Sequence, residues 1–417
     1  MTVELEDQEQ ASLRRVLGLP LITLYGIGTI LGAGIYVLIG KVVAASGLYA
    51  PASFLLASLI VAFSAFSYAE LSSRYPRSAG EAVYVRMAFG RDWLFTLVGL
   101  AVVLTGVVSS ATIATGFVGY MNLFIDLPGW LIIVLLVVSL GVIASIGVSE
   151  SVILASIITL IEVAGILLVI GVAMNGIEFR EIELAEFVPP LTAHTWLGIT
   201  TGAFLAFYAF IGFEDMVNMA EEVRDPVRVM PRSIIIALLV TTLLYFAVAF
   251  AAVNVLPLDV LAKSKAPFAE IIQRNSDIPV AVMGLISLVA IVNGALIQII
   301  MGARVLYGMA RQGRAPGLFA RINSRTRTPL EATAVITLIV LVLALWLPIV
   351  TLASITSFIV LMIFTLVNLS LLRLKYLESR GQPGVECGIN VPLAVPLIGA
   401  LLCVGFVLMQ LPALAGI

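Results

Sequence analysis

The stretch GIGTILGAGIYVLIG, Gly26 to Gly40, holds five glycines in one apolar run, with Gly28, Gly32 and Gly34 near its middle. Glycine is the poorest helix former after proline, so a membrane-depth helix is expected to unwind here. A second stretch, FYAFIGFEDMVNMAEE from Phe207 to Glu222, sets Gly212 just ahead of the acids Glu214 and Asp215. It is a second candidate break. Broken helices expose backbone groups at membrane depth, which is tolerated only where those groups line a cavity or find partners. N–H groups near Ala33 and Gly34 open the second half of the first helix, and the positive end of that half-helix can hold a carboxylate. A side chain at Gly32 or Gly34 would take the carboxylate's place. Carbonyls of Ile30, Tyr208 and Ile211 can hold an ammonium group, so the two breaks together suit a zwitterion. Close helix packing is the alternative use of such glycines.

Around these stretches the composition is that of a polytopic membrane protein. Of 417 residues, 61% are hydrophobic and 12% charged, about half the roughly 25% charged fraction of a soluble domain. Eleven windows can cross a hydrocarbon core of roughly 30 Å: 17–45, 51–72, 92–121, 128–147, 151–174, 196–221, 232–255, 279–308, 329–347, 349–372 and 391–413. Their apolar residues run continuously, which excludes an alternating β-barrel pattern. With the amino terminus in the cytoplasm, every basic residue except Lys41, Arg180, Lys263, Lys265 and Arg274 falls inside, as the positive-inside rule requires. An odd number of spans then puts the carboxyl terminus outside. The polar, acidic start lacks the pattern of a secretory signal.

The two broken spans, first and sixth, are separated by an interval that makes two five-helix units inverted in the membrane, the sequence pointer to a secondary transporter's central site. The expected organisation is a cytoplasmic segment 1–16, a first repeat 17–174, an outside loop 175–195, a second repeat 196–372, a cytoplasmic loop 373–390, and a final helix with its tail, 391–417. A formal charge of −2 argues against a nucleic-acid partner. Two cysteines, Cys387 and Cys403, and the single histidine, His194, leave no metal motif.

Three stretches resemble the amino acid, polyamine and organocation superfamily of transporters, in the branch similar to cationic amino acid transporters. They are GIGTILGAGIYVLIG (26–40), SYAELSSRYPRSAGEAVYVRMAFG (67–90) and FYAFIGFEDMVNMAEEVRDPVRVMPRSI (207–234), with RVLYGMARQG (304–313) a weaker fourth. The resemblance implies an all-α, LeuT-like fold of two inverted five-helix repeats. It puts the substrate carboxylate on the amides around Ala33 and Gly34, and the amine on the carbonyls of Ile30, Tyr208 and Ile211. Phe207, Phe210 and Phe213 become aromatic walls and gates, with plain packing as their other use. Twelve helices are commoner in the family, so a dimer contact through a last helix is left open, as is the oligomeric state. Several proton-coupled relatives carry a lysine midway along the fifth span, where ASIITLIEVAG here offers Glu162.

Glu162 lies about eleven residues into that span, roughly 17 Å deep at 1.5 Å per residue. An acid at the centre of a membrane helix costs on the order of 2.5 to 3.5 kcal/mol and is cheaper to bury with its proton than without it. Proton coupling follows; a neutral structural acid and a sodium ligand are the alternatives. Glu214 follows the sixth-span break, where the new half-helix favours its charge, as a gate, a pH-sensing group or a cap. Asn293, in LVAIVNGALIQ of the eighth span, is expected to touch the substrate side chain or to join helices. Glu70, Arg74, Arg77 and Glu81 are expected at the cytoplasmic surface, as an inner gate or a solvated loop. No nucleophile with a nearby histidine and no paired acids suggest an enzyme, and no pore loops or charge rings suggest a channel. The expected partners are an amino acid, protons and membrane lipids, with no cofactor; exchange of amino acids and polyamine transport are the neighbouring functions.

Overall fold

The computed structural model describes residues 15–32, 34–77, 80–146, 152–176, 184–326 and 328–414. Among them the chain is all-α, with one isolated bridge between Leu17 and Val223 and no strand. The first apolar window folds as α1 (Leu19–Leu31) and α2 (Gly34–Ser46), and a turn at Gly47–Tyr49 leads into α3 (Ala50–Arg74). A short α4 (Gly80–Phe89) precedes α5 (Asp92–Met121), α6 (Gly129–Ile146) and α7 (Val152–Gly176). Next come α8 (Ala193–Ala209), a 3₁₀ segment Phe213–Glu222, α9 (Pro226–Val255), the small α10 (Leu258–Lys263) and α11 (Pro267–Asn275), and α12 (Val280–Arg311). The chain closes with α13 (Leu330–Trp346), α14 (Ile349–Ser379) and α15 (Ala394–Leu414).

By length and composition, eight helical stretches among the described residues can cross a membrane. Three shorter apolar helices, Leu19–Leu31, Leu330–Trp346 and Ala394–Gln410, accompany them. Every apolar window read from the sequence falls on one of these. The seventh begins earlier than hydropathy indicates, at Pro226 and not at 232. Pro226 presets the first-turn backbone, and the helix runs through Arg228 and Pro231 before the apolar window opens at Arg232.

Both breaks form where the glycines stand. Helix α1 stops at Gly32, whose φ of 21° and ψ of −147° leave the helical region, and α8 stops ahead of Gly212, at φ 131°. A Cβ at Gly212 would collide with the Thr29 carbonyl oxygen, and one at Gly34 would stand 2.7 Å from the Ala209 Cα. The broken segments therefore touch backbone to backbone at two places, and the glycines serve unwinding and close packing at once. On the other flank, Gly28 abuts the Thr159 hydroxyl of α7 and Gly26 abuts the Met216 thioether. Helix α1 lies against α7 and α9, α2 against α8, α3 against α8 and α9, and α5 against α12 and α14.

Ahead of α1, the N–H groups of Val16 and Leu17 donate to the Glu222 carbonyl at 2.9 and 3.0 Å, and the Arg224 N–H donates to the Leu17 carbonyl at 2.8 Å. These bonds stitch the start of α1 to the end of the 3₁₀ segment.

This packing makes a contrast between two glycines measurable. Gly34→Ala forces the Ala209 backbone to shift and should cost about 1–3 kcal/mol, as overpacking does. Gly171→Ala, in α7 with open space around it, should be neutral or stabilising by up to about 1 kcal/mol through helix propensity. Thermal unfolding of the purified variants checks this: equal melting temperatures would remove the close backbone approach from the account.

Candidate substrate site

A cavity of about 30 Å³ lies where the two breaks meet. Gly28, Thr29, Ile30, Gly32 and Gly34 form one wall, and Tyr208, Ile211 and Asp215 a second. Ser109 and Ile113 of α5 with Gly294, Ile297 and Gln298 of α12 close it. The first turn of α2 begins at this cavity, and the N–H groups of a first helical turn have no partner within their own helix. Two acceptor and donor sets thus face a space that holds roughly a water molecule or two; an amino acid enters only when the walls part.

The freed carbonyls are partly spoken for. The Tyr245 hydroxyl of α9 stands 2.8 Å from the Ile30 carbonyl and 2.8 Å from the Ala209 carbonyl, donating its one hydrogen to either. One side chain thereby clips both broken helices together. The Tyr208 carbonyl accepts the Ile211 N–H at 3.2 Å. The Tyr208 hydroxyl pairs with the Ser109 hydroxyl at 2.9 Å and reaches the Ser109 carbonyl at 3.1 Å, which ties the wall to α5.

Of the residues expected at the site, Ile30, Gly32, Gly34, Tyr208 and Ile211 line the cavity; Ala33 lies outside the described residues. Phe207, Phe210 and Phe213 are fully buried and do not line it. Phe207 and Phe213 pack on Phe364 of α14, with ring centroids 5.7 and 5.2 Å apart, and Phe210 packs on Tyr245 at 5.0 Å. They hold the broken helix in place from behind. Asn293 also points elsewhere: it lines a separate apolar cavity of about 330 Å³ between α5, α7 and α12, beside Glu162. Gly294, Ile297 and Gln298 take the place expected for it.

Glu162 is the eleventh of the 25 residues of α7 and is fully buried. Neither carboxyl oxygen has a hydrogen bond of normal geometry among the described residues. The Tyr36 hydroxyl donates to its backbone carbonyl at 2.8 Å, and the Asn293 amide and, at longer electrostatic range, the hydroxyls of Tyr36 and Tyr245 act on the carboxyl. The α7 residue seated against α1 is Thr159, one turn earlier, at Gly28. Glu214 accepts the Gly212 N–H at 2.8 Å, the capping contact among its expected uses.

Three of the four residues expected at the surface are buried. Glu70 is fully buried, and Arg74 and Glu81 are 6% and 3% exposed. Glu70 receives Arg74 at 2.5 Å, Lys375 at 2.8 Å and the Val391 N–H at 2.8 Å, and Arg74 also pairs with Glu378. The ends of α3 and α14 and the lead-in to α15 cover this network. Glu81, carried inward by α4, lines a second cavity of about 20 Å³ with Glu214, Asp215 and Gln298.

Two helix breaks that face one cavity within an all-helical bundle define a membrane carrier. The profile of the family described as amino acid permease matches residues 17–415, and the chain belongs to that family. It is 33% identical over 405 residues to cationic amino acid transporter 2, vacuolar, of Arabidopsis thaliana, covering 89% of this chain and 61% of that protein. It is 30% identical over 431 residues to the methylthioribose transporter of Bacillus subtilis, and 27% over 435 to its branched-chain amino acid permease BcaP, covering 96% of this chain and 89% of the relative in both cases. The chain spans less than two thirds of the plant relative's length.

Removing the clip tests its part in the site. Tyr245→Phe leaves the Ile30 and Ala209 carbonyls without a shared donor, and should lower stability by about 1–3 kcal/mol, the cost of a buried acceptor left unpaired. A melting temperature equal to that of the parent protein would mean that the hydroxyl bonds are dispensable.

Proposed function

We propose that this protein is a secondary carrier that moves α-amino acids across the cell membrane by alternating access, with protons as the coupling ion. The cavity walled by both helix breaks supports this reading. Helix-start N–H groups at Gly34 offer a place for the carboxylate, and carbonyls of Ile30, Tyr208 and Ile211 one for the ammonium group, acting through the lone pairs their internal hydrogen bonds leave. Residues 17–174 and 196–372 form two inverted repeats that rock against each other, with loop 175–195 outside, segments 1–16 and 373–390 in the cytoplasm, and the carboxyl end outside. Relatives named for cationic and branched-chain amino acids, both zwitterionic at the α-carbon, fit such a site.

Coupling rests on Glu162. Its carboxyl lies within electrostatic range of the Tyr245 hydroxyl, and that hydroxyl holds the carbonyls of both breaks. A charge on Glu162 biases where that hydroxyl's hydrogen points, and protonation removes the bias. Proton binding and closure of the breaks are thereby linked through one hydroxyl.

Proteoliposomes test the proposal. Radiolabelled amino acid should show saturable counterflow, and its N-acetyl and methyl ester derivatives should compete at least about tenfold more weakly. Glu162→Gln, which mimics the protonated acid, should keep counterflow and lose accumulation driven by an inward pH gradient. If the variant still concentrates substrate under a pH difference alone, coupling does not run through Glu162; if wild-type uptake follows sodium, the coupling ion is wrong.

A further inference from the structure

Helix α12 and its connection to α13 carry charge of one sign. Residues 278–330 hold six arginines, Arg304, Arg311, Arg314, Arg321, Arg325 and Arg327, and no acid. On the proposed topology this is a cytoplasmic connection, and other bases on that side are answered within the protein. Arg74 and Lys375 share Glu70, Arg74 also meets Glu378, and Arg228 lies 3.9 Å from Asp225. Here the one carboxylate paired with the connection among the described residues is Asp92 at the start of α5, and it is divided between Arg314 at 2.9 Å and Arg86 at 3.4 Å. Arg321 and Arg325 are exposed, and neither pairs with an acid among the described residues.

The connection is held in shape by its own hydrogen bonds. The turn after α12 closes at Gly313, with φ 70°, and the Arg314 N–H returns to the Met309 carbonyl at 2.8 Å, on the side where Asp92 stands. A 3₁₀ turn, Gly317–Ala320, follows. The Asn323 side chain accepts the Arg325 and Thr326 N–H groups at 2.9 and 3.1 Å, and the Thr328 hydroxyl donates to the Ser145 carbonyl at the end of α6 at 2.7 Å.

Apolar side chains stand in the open among these arginines. Leu318 is 47% exposed, Ile322 49%, and Trp93, next to Asp92, 58%. Basic and apolar side chains interleaved at the ends of spanning helices match the boundary of a bilayer. There a Trp sits at headgroup depth, apolar side chains enter the edge of the acyl region, and a guanidinium group takes phosphate oxygens two at a time. A soluble polyanion complements the charge alone and leaves the three apolar side chains in water. A zwitterionic lipid brings its own cation to arginines that already lack a counter-charge.

We infer that this surface, at the joined ends of α5 and α12, binds the headgroup of an anionic phospholipid in the adjoining leaflet. Arg314, Arg321 and Arg325 hold the headgroup, and Leu318 and Ile322 enter beside its chains. Both helices also wall the cavity at the breaks, through Ser109 and Gln298, so the lipid fastens to the helices that close the cavity and not to the broken pair.

The test titrates the purified full chain, in an uncharged detergent, with short-chain phosphatidylglycerol or phosphatidylcholine, read by thermal shift and by the lipid retained in native mass spectrometry. Phosphatidylglycerol should be retained at least about fivefold over phosphatidylcholine, and about 0.5 M salt should remove most of that preference. Arg321→Gln together with Arg325→Gln should bring the two lipids to within about twofold of each other, whereas Arg228→Gln, whose charge Asp225 already meets, should keep the wild-type preference. Should the double variant fold poorly, Arg325→Gln alone carries the comparison and should lower the preference at least about twofold. Equal retention of the two lipids by the wild type, or an undiminished preference in the folded variant, overturns the inference. Inorganic phosphate and a short polyphosphate separate the sources of the anion: protection by either that equals that of phosphatidylglycerol means that the surface takes a soluble anion, and overturns it too.

Discussion

Everything about the site follows from one constraint: backbone groups released by a broken helix inside a membrane must find partners in the protein or line a cavity. Two breaks double the difficulty, and this chain meets it by bringing them together. Gly34 lets α2 press on the Ala209 backbone, and Gly212 lets its own turn press on Thr29. At that distance one hydroxyl, Tyr245, serves a carbonyl from each helix. Any larger residue at either glycine would separate the breaks and put one of the two carbonyls out of its reach. The small cavity that remains is bounded by whichever polar groups the clip does not use, so the site is what is left over from satisfying the break.

Support from behind is aromatic. Phe207, Phe210 and Phe213 leave the cavity and fill the space between α8, the 3₁₀ segment, α9 and α14, with Tyr68 and Phe364 stacked edge-on among them. Rings of this size are fixed by their neighbours in a densely packed interior. A break that would otherwise be loose is thereby held to a single geometry, which a binding site with backbone donors and acceptors needs.

The breaks were legible in the sequence because glycine spacing and acid placement are local signals. So was the order of the apolar segments, since length and hydropathy are properties of a short window. Which face of a helix meets which neighbour was not legible. Asn293 and Gln298 both stand in apolar stretches of α12, so nothing local separates Asn293, which turns toward Glu162 and the 330 Å³ apolar cavity, from Gln298, which turns toward the break. The aromatic residues misled for the same reason: around the end of α8, Tyr208 and Ile211 face the cavity and their phenylalanine neighbours face away. Glu70, Arg74 and Glu81 look solvated in sequence because their burial comes from α14, the segment before α15 and the inward course of α4, all distant or only weakly apolar. Ser109 and Asp215 carried signals that could have been used, a hydroxyl pair in an apolar helix and a second acid after the break.

The cavity is too small for an amino acid as it stands, so admission has to break contacts, and the contacts differ in what they cost to break. Separating α1 from the 3₁₀ segment severs three backbone hydrogen bonds around Leu17, Glu222 and Arg224, each worth about 0.5–1.5 kcal/mol net and more where water cannot replace it. Separating α1 from α7 gives up van der Waals contact between Gly28 and Thr159, with no hydrogen bond across that pair: the Thr159 hydroxyl is already bonded to Ala155 at 2.9 Å within its own helix. A parting between α1 and α7 is thus a second way to widen the cavity. Opening along it keeps the first helix and the 3₁₀ segment together as one body and leaves the Leu17–Val223 bridge intact. It also moves the Ile30 carbonyl relative to α7, on which Glu162 sits within electrostatic range of Tyr245. The same displacement that admits a ligand thus changes the surroundings of the buried acid, and the two events cannot be independent in this packing.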